Sequence, residues 1–121
     1  MRLGVTIHDL GETALVRCVG RIGVGGTGTL RKAVLSQSRR QTVFLDLARV
    51  DAVDAAGIGV LVFVHGWACA LGIDLQLISP TLYVRELLAL TNLDSVFKIL
   101  SSEEPLWSPR TDFPAIDDTA A

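Results

Sequence analysis

The chain has 121 residues, of which 50% are hydrophobic and 20% are charged, so it has the size and composition of one compact globular domain. Eleven Lys and Arg against thirteen Asp and Glu give a net charge of −2. This balance excludes the broad positive field that non-specific binding of DNA or RNA requires, and we expect no nucleic-acid partner.

The opening segment and the most apolar run both indicate a cytoplasmic protein. Asp9 and Glu12 interrupt the N-terminal residues before a hydrophobic stretch of signal-peptide length has formed. Residues 58–71 form the most apolar run, which is shorter than the roughly 20 residues that span a bilayer, so we expect no membrane insertion. Cys18 and Cys69 sit among apolar neighbours without metal-like spacing, which favours reduced, buried thiols.

The first half of the chain predicts two strands, a helix and a third strand. Residues 5–7 and 14–19 have the apolar or alternating pattern of strands, and the turn-forming residues 9–12 between them predict a hairpin. Apolar residues at helical spacing predict an amphipathic surface helix around residues 30–35. Residues 42–47 are β-branched, aromatic and apolar nearly throughout, which is typical of a central strand buried on both faces.

The second half of the chain predicts an α/β alternation. A helix should begin at residue 55 or 56 and end at residue 71, with Gly72 as its left-handed cap, and a short strand should follow over residues 74–78. A third helix is expected over residues 79–92, and residues 96–100 are expected to add a short extended segment. The order β-β-α-β-α-β-α predicts a small mixed β-sheet of four to five strands flanked by helices, with right-handed crossovers.

A change in composition near residue 100 predicts the end of the domain. We expect residues 1–100 to form the domain and residues 101–121 to form a C-terminal tail, because this segment contains three prolines and scattered acids. We expect the tail to be partly flexible and attached to the domain at most through Leu106, Trp107 or Phe113.

The first candidate site is the glycine-rich segment of residues 23–28, which matches G-x-G-x-x-G between a strand and a helix. In dinucleotide-binding domains such glycines bring the backbone close to a pyrophosphate, and Asp46 follows at about the spacing of the ribose-binding acid. Two features argue against this use: residues 20–22 separate the apolar strand from the glycines, and Asp46 lies inside an apolar strand. A lone match of this pattern is often coincidental, so we favour a mobile loop. The alternative is a nucleotide loop formed by Gly23, Gly25, Gly26 and Gly28.

The second candidate site is the loop in which a strand turns into the long helix. Its free N–H groups attract acceptors, and Asp54 is placed to cap them. Ala55 and Ala56 offer no nucleophile, and no serine, cysteine or histidine lies close in sequence, so we expect neither an enzyme nor a catalytic residue. Lone His65 has no second ligand near it, and we expect no metal and no cofactor.

The third candidate site is the long helix, which is apolar all round except at His65. Such a helix is either buried on every side or presents a surface to a partner. In so small a domain, we expect its first turns, around Ile58, Leu61 and Val62, to form a docking surface. Burial under the C-terminal tail is the alternative.

Residues 43–61 resemble the signature of STAS domains, a family that includes the bacterial anti-sigma factor antagonists. Residues 72–78 are similar to the family's next strand, and residues 84–97 to its closing helix with the Leu-Asp-x-x-Phe ending. The resemblance covers residues 14–100 and implies the mixed sheet and flanking helices predicted above.

The resemblance also implies a function and a missing switch. In switchable members of the family, a partner kinase phosphorylates a serine at the position of Ala55 and so abolishes binding to the anti-sigma factor. Gly23 stands where the family has an acid near that serine. The resemblance thus implies a protein-binding regulator whose partner is an anti-sigma factor of the serine-kinase type, with release of a sigma factor and without phosphorylation at the usual site. The expected partner-binding residues are Gly23, Asp54, Ala55, Ala56, Gly57, Ile58, Leu61 and Val62.

Two other functions stay open at this point. STAS-like proteins also serve as accessory subunits of lipid-transport ABC ATPases and as parts of larger stress-signalling assemblies. A nucleotide-binding protein that uses the glycine-rich loop is the other alternative. Self-association as a homodimer is also left open.

Overall fold

The computed structural model describes residues 2–100, which form a five-stranded mixed sheet with three α-helices. The order of elements is the predicted one, and the predicted tail over residues 101–121 lies outside the described residues. The strands are β1 (Gly4–Leu10), β2 (Thr13–Ile22), β3 (Thr42–Val53), β4 (Asp74–Ile78) and β5 (Lys98–Leu100). The helices are α1 (Thr27–Leu35), α2 (Ala55–Leu71) and α3 (Leu82–Leu90), followed by a 3-10 turn (Leu93–Ser95).

The strands lie in the sheet in their order along the chain, β1-β2-β3-β4-β5. β1 and β2 are antiparallel, which confirms the predicted hairpin, and every later pair is parallel. Parallel neighbours need crossover connections, and α1, α2 and α3 provide them in turn. β1 and β5 are therefore the two edges of the sheet.

Besides lengthening β1 from the predicted residues 5–7 to Gly4–Leu10, the structure extends two more of the predicted strands. β2 continues through Gly20 and Arg21 to Ile22, and β3 continues beyond residue 47 to Val53. The extension of β3 was not predicted because exposed charged residues interrupt its apolar pattern. The two strands nevertheless stay paired to their ends, with register shifts after Arg17 and Gly20. Backbone hydrogen bonds to a neighbour thus maintain a strand whose side chains no longer show a buried pattern.

The main core joins the sheet to all three helices. Every buried hydrophobic side chain of α1, α2 and α3 belongs to it, together with alternate residues of the central strands. The helices contribute Leu30, Val34, Val60, Leu61, Val64, Ala68, Val84 and Leu88. A second, smaller cluster consists of Leu15, Phe44 and Ile78. No helix within residues 2–100 combines the length and apolar character needed to cross a bilayer.

The two cysteines differ in exposure, which corrects the prediction that both are buried. Cys18 points from β2 into the main core, whereas Cys69 lies on the exposed side of α2. The sequence could not separate them, because α2 is apolar on every side and only its packing decides which residues point outward. Burial raises the pKa of the Cys18 thiol to about 12, and the negative charge of Asp46 adds to this rise.

Cys69 is expected to react quickly with a disulfide reagent in the folded protein, and Cys18 is expected to react only after denaturation. The thiolate is the reactive form, and Cys18 is both buried and protonated at neutral pH. Absorbance of the released thiol measures both phases. The variant Cys69→Ser should lose the fast phase alone, and two fast phases in the unmodified protein would contradict the assignment.

Candidate functional site

The candidate site lies at the carboxyl ends of β2 and β3, where two connections leave the sheet side by side. The last residues of the strands, Ile22 and Val53, are register partners. From β2 the chain enters the glycine-rich turn before α1, and from β3 it passes through Asp54 directly into α2. Because the strands are parallel, the turn and the start of α2 lie side by side at the carboxyl ends of the strands.

Asp54 joins these two connections through its carboxylate. Its Oδ1 accepts the backbone N–H of Gly57 at 2.9 Å, which makes Asp54 the N-cap of α2 as predicted. Its Oδ2 accepts the backbone N–H of Val24 at 3.1 Å and the Arg21 guanidinium at 3.0 Å. One side chain thus closes the helix end and holds the glycine-rich turn against it.

The protein is expected to lose stability as the pH falls from 4 towards 2, partly through Asp54. The N–H groups of Val24 and Gly57, helped by the Arg21 guanidinium, lower the pKa of its carboxyl from 3.8 to about 2. A depressed pKa contributes stability that is present above the unfolded value near 4 and is lost as the pH falls through 2. Urea titrations at pH 6 and pH 3 should show a smaller difference between the two pH values for Asp54→Asn. An equal loss of stability between pH 6 and pH 3 in the unmodified protein and in Asp54→Asn would show that Asp54 does not contribute.

Two glycines permit this close arrangement. A Cβ atom at position 57 would overlap the carbonyl oxygen of Ile22, so only glycine lets α2 begin against the end of β2. A Cβ atom at position 23 would lie 2.6 Å from the Cγ atom of Asp54. A side chain at position 23 would therefore have to displace the Asp54 carboxylate from the turn.

The glycine-rich turn uses its own polar groups to hold its shape. The N–H of Gly26 donates to the carbonyl of Gly23 at 2.8 Å, and Gly25 has a φ of +89°, as a turn with glycine at its third position requires. Gly28 lies in the first turn of α1. Since Val24 and Gly26 donate their N–H groups within the protein, these two groups are not free to bind a phosphate.

The two sequence arguments against a dinucleotide site have different outcomes. The prediction that residues 20–22 separate the strand from the glycines was wrong, because β2 runs to Ile22 and the glycines follow it directly. The position of Asp46 is as predicted, since it lies within β3 and its carboxylate is 3.1 Å from the Arg17 guanidinium. A ribose-binding acid would stand at the carboxyl end of its strand.

The outward side of α2 is uncharged and made of small or apolar residues. We call it the α2 face. Val62 and Phe63 are its large members, at 46% and 47% exposed. At 100° per residue its members occupy one continuous arc of the helix, beginning at the Asp54 cap. The α2 face consists of Ala55, Ala56, Gly59, Val62, Phe63, Gly66, Cys69 and Ala70.

The predicted docking residues do not all reach this surface. Leu61 is completely buried in the main core, so its assignment to an exposed docking surface was wrong. An apolar helix gives no period from which its outward side can be read. Gly23 and Gly57 are also buried and so do not reach the surface, and Ile58 is half-buried. Ala55, Ala56 and Val62 are exposed.

Three residues near the site were missed by the sequence interpretation. Arg21 pairs with Asp54, and Val24 is 79% exposed at the tip of the turn beside α2. Phe63 lies beneath the guanidinium of Arg31, which is 5.7 Å from the ring centroid. Val24 could have been found from the sequence, because a valine between glycines in a loop is expected to be exposed. The contacts of Arg21 with Asp54 and of Arg31 with Phe63 could not, because each joins residues about 30 positions apart. In the part of the chain that the structure describes, no three His, Cys, Asp or Glu side chains are grouped as metal ligands.

Comparison with known proteins gives one family and one fold. A family model for the STAS domain matches residues 5–105. An anti-sigma factor antagonist from Mycobacterium paratuberculosis has a TM-score of 0.74 at 17% identity, covering 90% of this chain and 95% of that chain. The anti-sigma factor antagonist SpoIIAA in its unphosphorylated form has 0.71 at 16% identity, with 88% and 96% covered. The phosphorylated form of Bacillus SpoIIAA has 0.66 at 17% identity, with 88% and 100% covered. At these identities the structural likeness establishes the fold.

Proposed function

The chain belongs to the STAS domain family, and on that basis we propose that it is a non-enzymatic, protein-binding regulator of the anti-sigma factor antagonist type. It binds an anti-sigma factor of the serine-kinase type and thereby releases a sigma factor. The observation that carries this proposal is the uncharged α2 face, which begins at the Asp54 cap and is exposed in the folded chain.

The composition of the α2 face suits a protein partner. Contiguous exposed apolar surface is uncommon on soluble monomers and marks interaction sites. Val62 and Phe63 supply apolar area, while Gly59 and Gly66 carry no side chain and let a partner approach the helix backbone closely. The guanidinium of Arg31 beside Phe63 adds a cation at the rim of the face. An apolar centre with a polar rim is the usual anatomy of such interfaces.

Phosphorylation at the usual position does not control this protein in the proposed mechanism. Ala55 is exposed as the first residue of α2, where the switchable members of the family carry their serine, and alanine has no hydroxyl to accept phosphate. A phosphate would add roughly −1.5 to −2 charges beside Asp54. Control therefore comes from elsewhere: from expression, from competition between partners or through the glycine-rich turn.

Capture of partners from the native lysate tests the proposal. A serine kinase on the purified protein supports it, whereas an ABC-type ATPase in its place would assign the chain to a transport assembly. The purified kinase should then bind the protein in the presence of nucleotide without transferring phosphate to it. Mass spectrometry that finds kinase-dependent phosphate on Ser79 or Ser95 would overturn the claim that the protein is not switched.

A nucleotide is not the proposed ligand of the glycine-rich turn. The Asp54 carboxylate, kept ionised by its hydrogen bonds, faces this turn and repels a phosphate. Calorimetric titration with ATP, GTP and NAD should give no heat of binding. A measurable heat that Val24→Pro abolishes would favour the nucleotide alternative.

Val62→Glu is expected to weaken binding of the captured kinase by about tenfold. Val62 is the large aliphatic residue of the α2 face, and a carboxylate there enters an apolar contact without a partner. Affinity is measured by titration of the purified proteins. Leu90→Glu, at an exposed position of α3, is the matched control and should leave affinity unchanged. Equal losses in both variants would show that the interface lies elsewhere.

A further inference from the structure

An open groove of about 1040 Å³ runs between the edge strand β1 and helix α1. Residues of these two elements line it, together with Ser36, the C-cap of α1. We call it the β1 groove. Because β1 is the edge strand, the groove opens at the side of the sheet and can be entered by a chain that lies along that edge.

The floor of the β1 groove is apolar. Val5 and Ile7 are register partners of two residues of β2 in the main core, so their side chains point to the side of the sheet that carries the helices. Ala33 and Leu35 of α1 pack against the same core and are only partly buried. Ile7 is 41% exposed. The main core is therefore left open where α1 does not cover the edge of the sheet.

Strand β1 also offers a backbone edge for pairing. It pairs with β2 over all seven of its residues without a bulge, and no other strand within residues 2–100 lies beside it. Edge strands are usually protected by shortness, bulges, proline or lysine, and β1 has none of these. Its one acid, Asp9, is paired with Arg40. An extended segment can add to such an edge, and every second side chain of that segment then points into the groove.

The wall of the groove on α1 carries two cations. Arg31 and Lys32 line it and are exposed, and neither forms an ion pair with any residue between 2 and 100. No described Asp or Glu lines the groove. The Arg31 guanidinium also lies over the ring of Phe63, so the groove adjoins the α2 face. Charge complementarity therefore favours an occupant that carries a carboxylate.

The same charges argue against a second copy of this chain as the occupant. Antiparallel pairing of two β1 strands about a two-fold axis would join the sheets and place both α1 helices on one side of them. Arg31 and Lys32 of each copy would then face those of the other across the groove. Like charges that meet at an interface cost free energy.

We propose that the β1 groove binds an extended segment of a partner protein. The segment pairs with β1 as a sixth strand, inserts apolar side chains between β1 and α1, and places a carboxylate against Arg31 and Lys32. This is a second interaction surface besides the α2 face. It does not depend on the identity of the partner proposed above.

A synthetic peptide with blocked ends, Thr-Glu-Thr-Val-Thr-Val-Thr-Glu-Thr, tests the proposal on the full-length protein. Its glutamates and valines share one face of a strand, and its sequence is the same in both directions, so it can pair with β1 in either orientation. Amide chemical shifts should change in β1 and α1, and hydrogen exchange should slow at alternate residues of β1. The analogue with lysine in place of both glutamates should bind about tenfold more weakly.

The double variant Arg31→Gln, Lys32→Gln should bind the glutamate peptide about tenfold more weakly and lose the preference for it over the lysine peptide. Arg49→Gln, Arg85→Gln removes two exposed cations elsewhere and is the matched control, which should bind as the unmodified protein does. Circular dichroism checks that both variants are folded.

Three results would overturn the proposal. The first is equal or absent binding of the two peptides by the unmodified protein, and the second is shifts confined to the α2 face. The third is self-association through β1, detected by sedimentation and by shifts of β1 that disappear on dilution. Failure to capture a kinase would leave the peptide result unchanged, so the two proposals fail separately.

Discussion

Replacing Gly57 by alanine is expected to lower the free energy of unfolding by about 3 kcal/mol, the upper end of the usual cost of overpacking. The added Cβ atom overlaps the carbonyl oxygen and carbon of Ile22, which belong to the backbone at the end of β2 and cannot rotate away. Relief requires α2 to move off the sheet, which disturbs the Asp54 cap and the contacts of Leu61 in the core. Urea unfolding followed by circular dichroism measures the change.

Gly59→Ala is the matched control for this loss. Gly59 is also a glycine of α2, two residues further along, but a Cβ atom there meets nothing within 4 Å. Alanine is the better helix former, so this variant should gain about 0.5–1 kcal/mol. A loss of stability in Gly57→Ala together with a gain in Gly59→Ala would identify the contact with β2 as the cause of the loss. Similar losses in both would show that the effect belongs to the helix and not to the contact.

Both ends of α2 were predictable because they depend on residues close in sequence. Asp54 caps α2 through an N–H three residues later, and Gly72 ends it with a φ of +72°. Thr81 accepts the N–H of Val84 at the start of α3 in the same way, so α3 runs over Leu82–Leu90 and is shorter at both ends than the predicted helix over residues 79–92. Such caps are local chemistry, so the sequence alone places them.

The site was only partly predictable because its geometry depends on distant residues. The sequence identified Asp54 as a cap, but the second role of its carboxylate requires Arg21 and Val24, which are about 30 positions away. These contacts form because β2 and β3 are parallel neighbours that end together at Ile22 and Val53. The role of Gly23 becomes clear only from this pairing.

The outward side of α2 was not predictable for a different reason. Nearly every residue from Ile58 to Leu71 is apolar, so hydrophobic periodicity distinguishes no side. Leu61 and Val62 are equally suited to a core or to an interface by composition. Packing against the sheet and α1 buries Leu61 completely and leaves Val62 outside.

Ala55→Asp is expected to reduce affinity for the kinase partner by about a hundredfold, because an unpaired charge buried at an interface costs roughly 2–5 kcal/mol. Position 55 is exposed next to the Asp54 carboxylate, and Arg21, the cation in contact with that carboxylate, is already paired with it. The fold itself should tolerate the change, since a carboxylate in the first turn of a helix interacts favourably with its dipole. Titration of the two purified proteins gives the affinity, and circular dichroism checks the fold.

Ala89→Asp adds the same charge at an exposed position of α3 and is the control for net charge. It should bind the partner as the unmodified protein does, although a carboxylate near a helix C-terminus costs a few tenths of a kcal/mol in stability. A loss of binding in Ala55→Asp alone assigns the interface to the start of α2. Unchanged binding in Ala55→Asp would place the interface away from this loop.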